Sequence, residues 1–183
     1  LARCDAGDTV WVDYGTYTQA GTLLIADSML RLIGADSAST IIDFGDSTTS
    51  NRQFQIDEDS AVLKGLEIRN AYIGVWLRGA DNALIQQVKI RDCDHIGLYL
   101  QNNGADDPDS NTVRECWIQN ISGGDSQGLH LSNAHNNCFY GDRIETASTN
   151  IWLSGSANCT NTFEQVVSYG ASAQGFYLAA ENR

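Results

Sequence analysis

The sequence predicts an all-β solenoid, a rod of stacked parallel coils, and three observations carry that prediction. The first is a short phrase that returns six times: Gln53-Phe54-Gln55-Ile56, Gly74-Val75-Trp76-Leu77, Gly97-Leu98-Tyr99-Leu100, Gly128-Leu129-His130-Leu131, Asn150-Ile151-Trp152-Leu153 and Gly175-Phe176-Tyr177-Leu178. The steps between the phrases are 21, 23, 31, 22 and 25 residues. A period in that range belongs to chains whose repeats bury their apolar faces only by stacking on one another. The second is a further strand pattern inside most repeats. The third is that no amphipathic helical stretch of any length competes, and the only proline is Pro108.

Within the phrase, side chains alternate, so its second and fourth residues point one way and the third points the other. The second and fourth are always aliphatic or Phe and are expected to face the core. The third position then forms an outward column of Gln55, Trp76, Tyr99, His130, Trp152 and Tyr177. The chain is only 9% aromatic, so four Trp or Tyr in six outward places is a concentration that needs an explanation.

The remaining strands follow polar turns. Ala61-Val62-Leu63 leads to Gly65 through Asn70, Ala83-Leu84-Ile85 to Gln87 through Asp92, Asn111-Thr112-Val113 to Glu115 through Asn120, and Asn161-Thr162-Phe163 to Gln165 through Val167. The inward pairs Leu66/Ile68, Val88/Ile90 and Cys116/Ile118 superpose, as do the corner residues Asn70, Asp92 and Asn120. Stacked Asn or Asp side chains at tight corners are expected to satisfy backbone groups that the turn leaves unpaired. Phe139 to Thr146 fits less well, with Arg143 where an apolar residue is expected, and a one-residue bulge is predicted there. Pro108 lies among about eight extra residues that lengthen one repeat, an insertion a stack tolerates by looping it out of a corner. At about 23 residues per coil, the chain makes a single domain, 1–183, of roughly seven to eight coils, with no linker or low-complexity tract.

The opening segment carries a resemblance of its own. Ala6 through Tyr17, with its Gly-Asp-Thr-Val strand and Gly-Thr-Tyr turn, resembles the first coil of right-handed parallel β-helix proteins of the pectate-lyase-like superfamily. Leu30 to Gly34 followed by Thr40 to Asp43, and then Leu63 to Ile68, resemble the next coils of that pattern. The resemblance implies a right-handed coil. It does not fix the chemistry, because the scaffold carries lyases, hydrolases, epimerases, adhesins and inert surface proteins. Leu1-Ala2-Arg3-Cys4 reads as the last turn of a capping helix, and Gly175 to Leu178 as an inward-patterned strand with almost nothing after it. Open or truncated ends are therefore expected, covered by further chain or by association end to end.

Composition narrows the function. A net charge of −12 argues against nucleic acid and against unaided attraction to anionic lipid or polyuronates. No apolar run reaches membrane-spanning length. Two lysines, many Gly, Ser, Asn and Thr, and the resemblance together suggest an extracellular or cell-surface setting. Of the five cysteines, Cys138 and Cys159 lie close to one coil apart. Vertical neighbours would place their α-carbons about 4.8 Å apart, within disulfide reach; the alternative is that all five are small buried hydrophobes.

The aromatic column Trp76, Tyr99, His130, Trp152 and Tyr177 supports three readings: structural stacking, a platform for polysaccharide or glycan, or a lateral contact with another protein. Polysaccharide lyases of the resembled superfamily combine an Arg or Lys base with acidic calcium ligands, and the outward candidates here are Glu67, Arg69, Arg78, Lys89 and Arg91. The Gly-His-Gly and clustered Asp settings of its hydrolases are not matched. Asp107, Asp109 and Asn111 alternate like the first three oxygen ligands of a Ca2+ loop, but Thr112 stands where Gly is needed and Ile118 where Glu should be. Asn120 and Asn158 begin glycosylation sequons. The favoured expectation is a module that engages carbohydrate without a required cofactor. The alternatives are a polysaccharide lyase or hydrolase, and a self-assembling filament or adhesin subunit.

Overall fold

The computed structural model describes residues 4–46, 48–155 and 160–179. The expected capping turn at Leu1 to Arg3, the sequon at Asn158 and the half-cystine candidate Cys159 fall outside those residues. Among the described residues there is no helix, and twenty-one short strands form three seven-stranded sheets in which every pairing is parallel. Consecutive strands go to different sheets, and each strand pairs with the one three places on, so the chain winds as a triangular solenoid of seven coils.

The first sheet runs Thr9–Val12, Arg31–Gly34, Val62–Lys64, Leu84–Gln86, Thr112–Arg114, Cys138–Tyr140 and Thr162–Glu164. The second runs Gly15–Thr18, Thr40–Asp43, Glu67–Arg69, Lys89–Arg91, Trp117–Gln119, Arg143–Glu145 and Val167–Tyr169. The third holds the recurrent phrase: Leu23–Ile25, Gln53–Ile56, Ile73–Arg78, Ile96–Gln101, Gln127–Ser132, Thr149–Ser154 and Gln174–Leu178. Leu23-Leu24-Ile25 starts this sheet one coil before the repeat is visible in the sequence, and Leu24 stands at the foot of the outward column.

The core is one continuous column of the alternate residues, among them Leu63, Ile85, Val113 and Phe139 from the first sheet and Ile68, Ile90, Ile118 and Ile144 from the second. Phe54, Val75, Leu98, Leu129 and Ile151 complete it from the third. Glycine opens the third-sheet phrase for a steric reason. A methyl group at Gly74, Gly97 or Gly128 would collide with Ile90, Ile118 or Ile144 of the next coil. In the following coil Ser168 replaces the isoleucine, and Asn150 replaces the glycine. Asn150 is fully buried, and its Nδ2 donates to Ser168 Oγ at 3.1 Å and to the Tyr169 carbonyl at 2.9 Å.

Two corners differ from expectation. Asn70, Asp92 and Asn120 do stack, all with φ between 53° and 55°, a left-handed conformation these residue types tolerate best after glycine. Their side chains chiefly bond one another's column, Asn70 to Asp43 at 2.9 Å and Asn120 to Asp92 at 3.2 Å. The ladder that satisfies backbone is a different one. Asn111, Asn137 and Asn161 point inward where the chain enters the first sheet. Their Nδ2 groups donate to the carbonyls of Ala80, Pro108 and Ala134 at 2.7–2.9 Å. Their Oδ1 atoms accept from the amides of Ala83, Asn111 and Asn137 at 2.8–2.9 Å.

No bulge occurs at Arg143. It pairs in register with Trp117 on one side and Val167 on the other, pointing outward. The polar residue in the inward place is Asp142, which follows Leu66, Val88 and Cys116 at that corner and is 2% exposed. The apparent misfit arose because a carboxyl group occupies a core position.

Candidate functional site

The third sheet sets the candidate residues side by side. Trp76, Tyr99, His130, Trp152 and Tyr177 are direct rung partners. Their rings form an unbroken stack, with centroids 5.9, 4.7, 5.5 and 5.1 Å apart in sequence along the rod. The first two contacts are nearly parallel, at 12° and 18°, the third is tilted at 34°, and Tyr177 stands at 90° to Trp152. Arg78 closes the other end, its guanidinium 5.8 Å from the Trp76 ring centre. From Trp76 to His130 the ring faces are therefore spent largely on one another, leaving ring edges toward the outside, although the Nε1 atoms of Trp76 and Trp152 are buried with no hydrogen-bond partner among the described residues. A platform of open ring faces is not what the stack presents.

Beside the rings runs a second column, Arg78, Gln101, Ser132 and Ser154, also in direct register. Arg78 is the only Asp, Glu, Lys or Arg in all seven strands of this sheet. The second sheet carries seven such residues in its strands and the first carries four. In a chain of net charge −12, one face is thus almost free of charge.

His130 lies within this column. Its Nε2 is 2.9 Å from Ser154 Oγ, the separation of a nucleophile and its base. Burial, helped by the His95 imidazole, pushes the His130 pKa down to about 4, and its Nδ1 has no hydrogen-bond partner among the described residues. A histidine without an orienting acid and held neutral this firmly is a poor proton acceptor. The pair is read as a hydrogen bond that fixes the ring.

The second sheet binds its charges to one another. Glu67, 4% exposed, accepts from Arg91 at 2.9 Å and lies 3.4 Å from Lys89 Nζ and 3.6 Å from Arg69. Arg69 also meets Asp43 at 2.8 Å, and Arg91 pairs with Asp92. The Glu67 hydrogen bond raises the Arg91 pKa, the opposite of what a general base needs. A second aromatic feature, not singled out from the sequence, sits on this face. Trp117 is sandwiched between Lys89 at 4.9 Å and Arg143 at 5.0 Å, and its Nε1 donates to Glu145 at 2.6 Å. Arg143 then covers Tyr169 at 4.9 Å. The signal was present: Lys89, Trp117 and Arg143 each sit between two inward residues, Val88 and Ile90, Cys116 and Ile118, and Asp142 and Ile144.

The calcium candidates do not converge. Asn111 is buried in the backbone ladder, with its Oδ1 and Nδ2 both engaged. Asp107 lies 3.3 Å from His135 Nε2, and Asp109 Oδ1 accepts from the His135 amide at 3.1 Å. Among the described residues, no group of three or more His, Cys, Asp or Glu side chains could hold a metal ion. Cys138 carries a free thiol, and its rung partner is Thr162, three residues beyond Cys159. Cys93 and Cys116 are buried core residues, and burial lifts the Cys93 thiol to about 12.

The coils and their register define the class of protein: a parallel β-helix with three chemically distinct faces. The family model for the right-handed β-helix region matches residues 39–183, and the chain belongs to that family. It is a right-handed parallel β-helix of the pectate-lyase-like type. ORF18 of Geobacillus virus E2 is similar in structure, with a TM-score of 0.74 at 17% identity over 89% of this chain and 36% of that one. Pectate lyase Pel9A matches at 0.63 and 18% over 86% of this chain and 48% of the enzyme. The pectin methylesterase of Yersinia enterocolitica matches at 0.52 and 13%, over 88% and 66%. This chain therefore spans less than half the length of the first two, and at such identities the likeness is one of fold. No curated protein matches it in sequence. Among the described residues, no helix is long and apolar enough to cross a membrane.

Proposed function

We propose that this β-helix is an extracellular module that engages neutral carbohydrate on its third sheet. The observation that carries the reading is the near-absence of charge on that face, together with its row of aromatic edges and flanking Gln and Ser side chains. Ring edges are the electropositive rim of the aromatic quadrupole and suit hydroxyl oxygens, while Gln101, Ser132 and Ser154 offer donors and acceptors. Charged polymers fit less well, because an overall charge of −12 repels uronates. Two of the similar structures named above are enzymes named for pectin or pectate, which supports a polysaccharide partner in general terms. A lyase would need a base that is free to lose its proton, and the second-sheet cations are held by Glu67, Asp43 and Glu145.

The test is a glycan array followed by tryptophan-fluorescence titration, comparing the unaltered chain with Gln101→Glu and Ser132→Glu. These place charge on the face without touching the core. Binding of neutral glycans that both variants weaken about tenfold or more supports the reading. If no glycan binds, and sedimentation shows the same substitutions breaking a lateral complex, the face is an assembly surface and the proposal fails.

A further inference from the structure

The spacing of the third sheet says more about the ligand than its class, and the following rests on the carbohydrate reading above. Adjacent parallel strands lie about 4.8 Å apart. Trp76, Tyr99, His130 and Trp152 pair without a register slip, and so do their neighbours Arg78, Gln101, Ser132 and Ser154. Each of these four coils thus presents one ring and one polar side chain; their backbone positions recur at the strand spacing, while the ring centroids lie 4.7–5.9 Å apart. The 31-residue repeat does not disturb this, because its extra residues leave at a corner while Tyr99 still faces His130. The strand spacing is close to the length of one pyranose in an extended, ribbon-like chain.

We infer that the ligand is an extended neutral polysaccharide lying along the rod axis, with one sugar unit on each coil. Matching repeats stay in phase over several coils only if both are straight. A polymer that coils on itself, or kinks at each linkage, would fall out of step after a unit or two. A ligand lying across the rod would meet one coil and leave it for the second sheet, where charges are already paired. The per-coil contact is also small: one ring edge and one Gln or Ser. Each such contact contributes little net free energy, and ordering the ligand costs more than one of them returns. Several coils must act together for binding to be measurable. The terminal cation, Arg78, adds a direction to the site, since it stands at one end of the polar column and the Ser154 hydroxyl at the other.

The experiment is calorimetric titration of the whole chain with cello-oligosaccharides of increasing length, beside malto-oligosaccharides of the same composition. Cello-oligosaccharides are extended and malto-oligosaccharides coil. Affinity for the extended series is expected to rise by about tenfold or more between two and five units and then level off, with the coiled series weaker at every length. Gln101→Ala should remove part of the affinity for the longest member and little for the shortest, and Ser154→Ala, which also releases the His130 ring, should remove at least as much. Neutral oligosaccharides that bind without length dependence, or equally well in both series, overturn the one-sugar-per-coil register and leave the carbohydrate reading standing. If neither these series nor any glycan on the array binds, the carbohydrate reading itself is lost.

Discussion

Asp142 makes a prediction that reaches through the whole stack. It occupies the inward corner that Leu66, Val88 and Cys116 fill in the preceding coils. Its Oδ1 accepts from the Cys116 amide at 2.8 Å, while its buried Oδ2 has no hydrogen-bond partner among the described residues. Burial lifts its pKa from 3.8 to about 7, with the Glu115 carboxylate pushing the same way. The folded chain therefore binds this proton more tightly than the unfolded chain does. The sign follows: the contribution is fully present below pH 3.8, shrinks as pH rises, and is gone above about 7. A shift of about three units corresponds to about 4 kcal/mol, a large part of the stability of an ordinary domain. Asp142→Asn keeps an oxygen for the Cys116 amide and removes the titration. Urea denaturation of both chains at intervals from pH 5 to 8 isolates the effect, because the other carboxyl groups are common to both. Relative to the asparagine variant, the native chain should lose about 1.4 kcal/mol per pH unit up to pH 7. Parallel stability curves for the two chains across that range would refute the argument.

Other expectations concern packing. Val75→Asp or Leu100→Asp should unfold the stack at neutral pH, since each inserts an unpaired charge between coils, whereas Trp76→Ser should leave the far-UV circular dichroism unchanged. Ser168→Ile should cost several kcal/mol by colliding with Asn150, and adding Asn150→Gly should recover much of it; equal Tm values for the single and double variants would contradict the steric account. Asn137→Ala should lower stability by about 2–4 kcal/mol in thermal melts, because it strips partners from the Pro108 carbonyl and the Asn111 amide at once.

Much of the fold was legible because a solenoid writes its packing rule once per coil. The phrase ending in Trp76-Leu77 and Tyr99-Leu100 encodes which side faces in, and the burial pattern of the strands carrying Trp76, Tyr99 and His130 follows that alternation, whereas Gln55 is buried and Phe176 and Leu178 of the last strand are exposed. The first coil was legible only by resemblance, since Leu23-Leu24-Ile25 is too short to announce itself. What stayed hidden depends on direction within a corner. Asn111 looked like a calcium ligand by spacing, but its side chain turns into the core, and alternation along the chain alone cannot show that. Asp142 was missed for a related reason: a buried carboxyl group breaks the apolar pattern, so the irregularity was assigned to the neighbouring Arg143. Ring orientation was equally out of reach. Alternation says which side of a sheet Trp76 occupies, but χ angles decide whether it shows a face or an edge.

The excursion between Gln101 and Thr112 shows how such a rod tolerates change. Leu84 still pairs with Thr112 across it, and its Pro108 carbonyl is taken up by Asn137 of the coil beyond. Added length at that corner leaves the pitch intact, at an entropic cost that grows only with the logarithm of loop size. The outward columns are then freer to vary one coil at a time, because the inward residues and the backbone ladder carry most of the stacking. The molecule can be treated as a graduated scale whose markings are edited individually: exchanging Gln101 rewrites one position of the face and leaves its neighbours in place, whereas Ser154 also holds the His130 ring of the coil before it. Tuning such a surface to a different polymer would require a series of single outward exchanges, with the core left as it is.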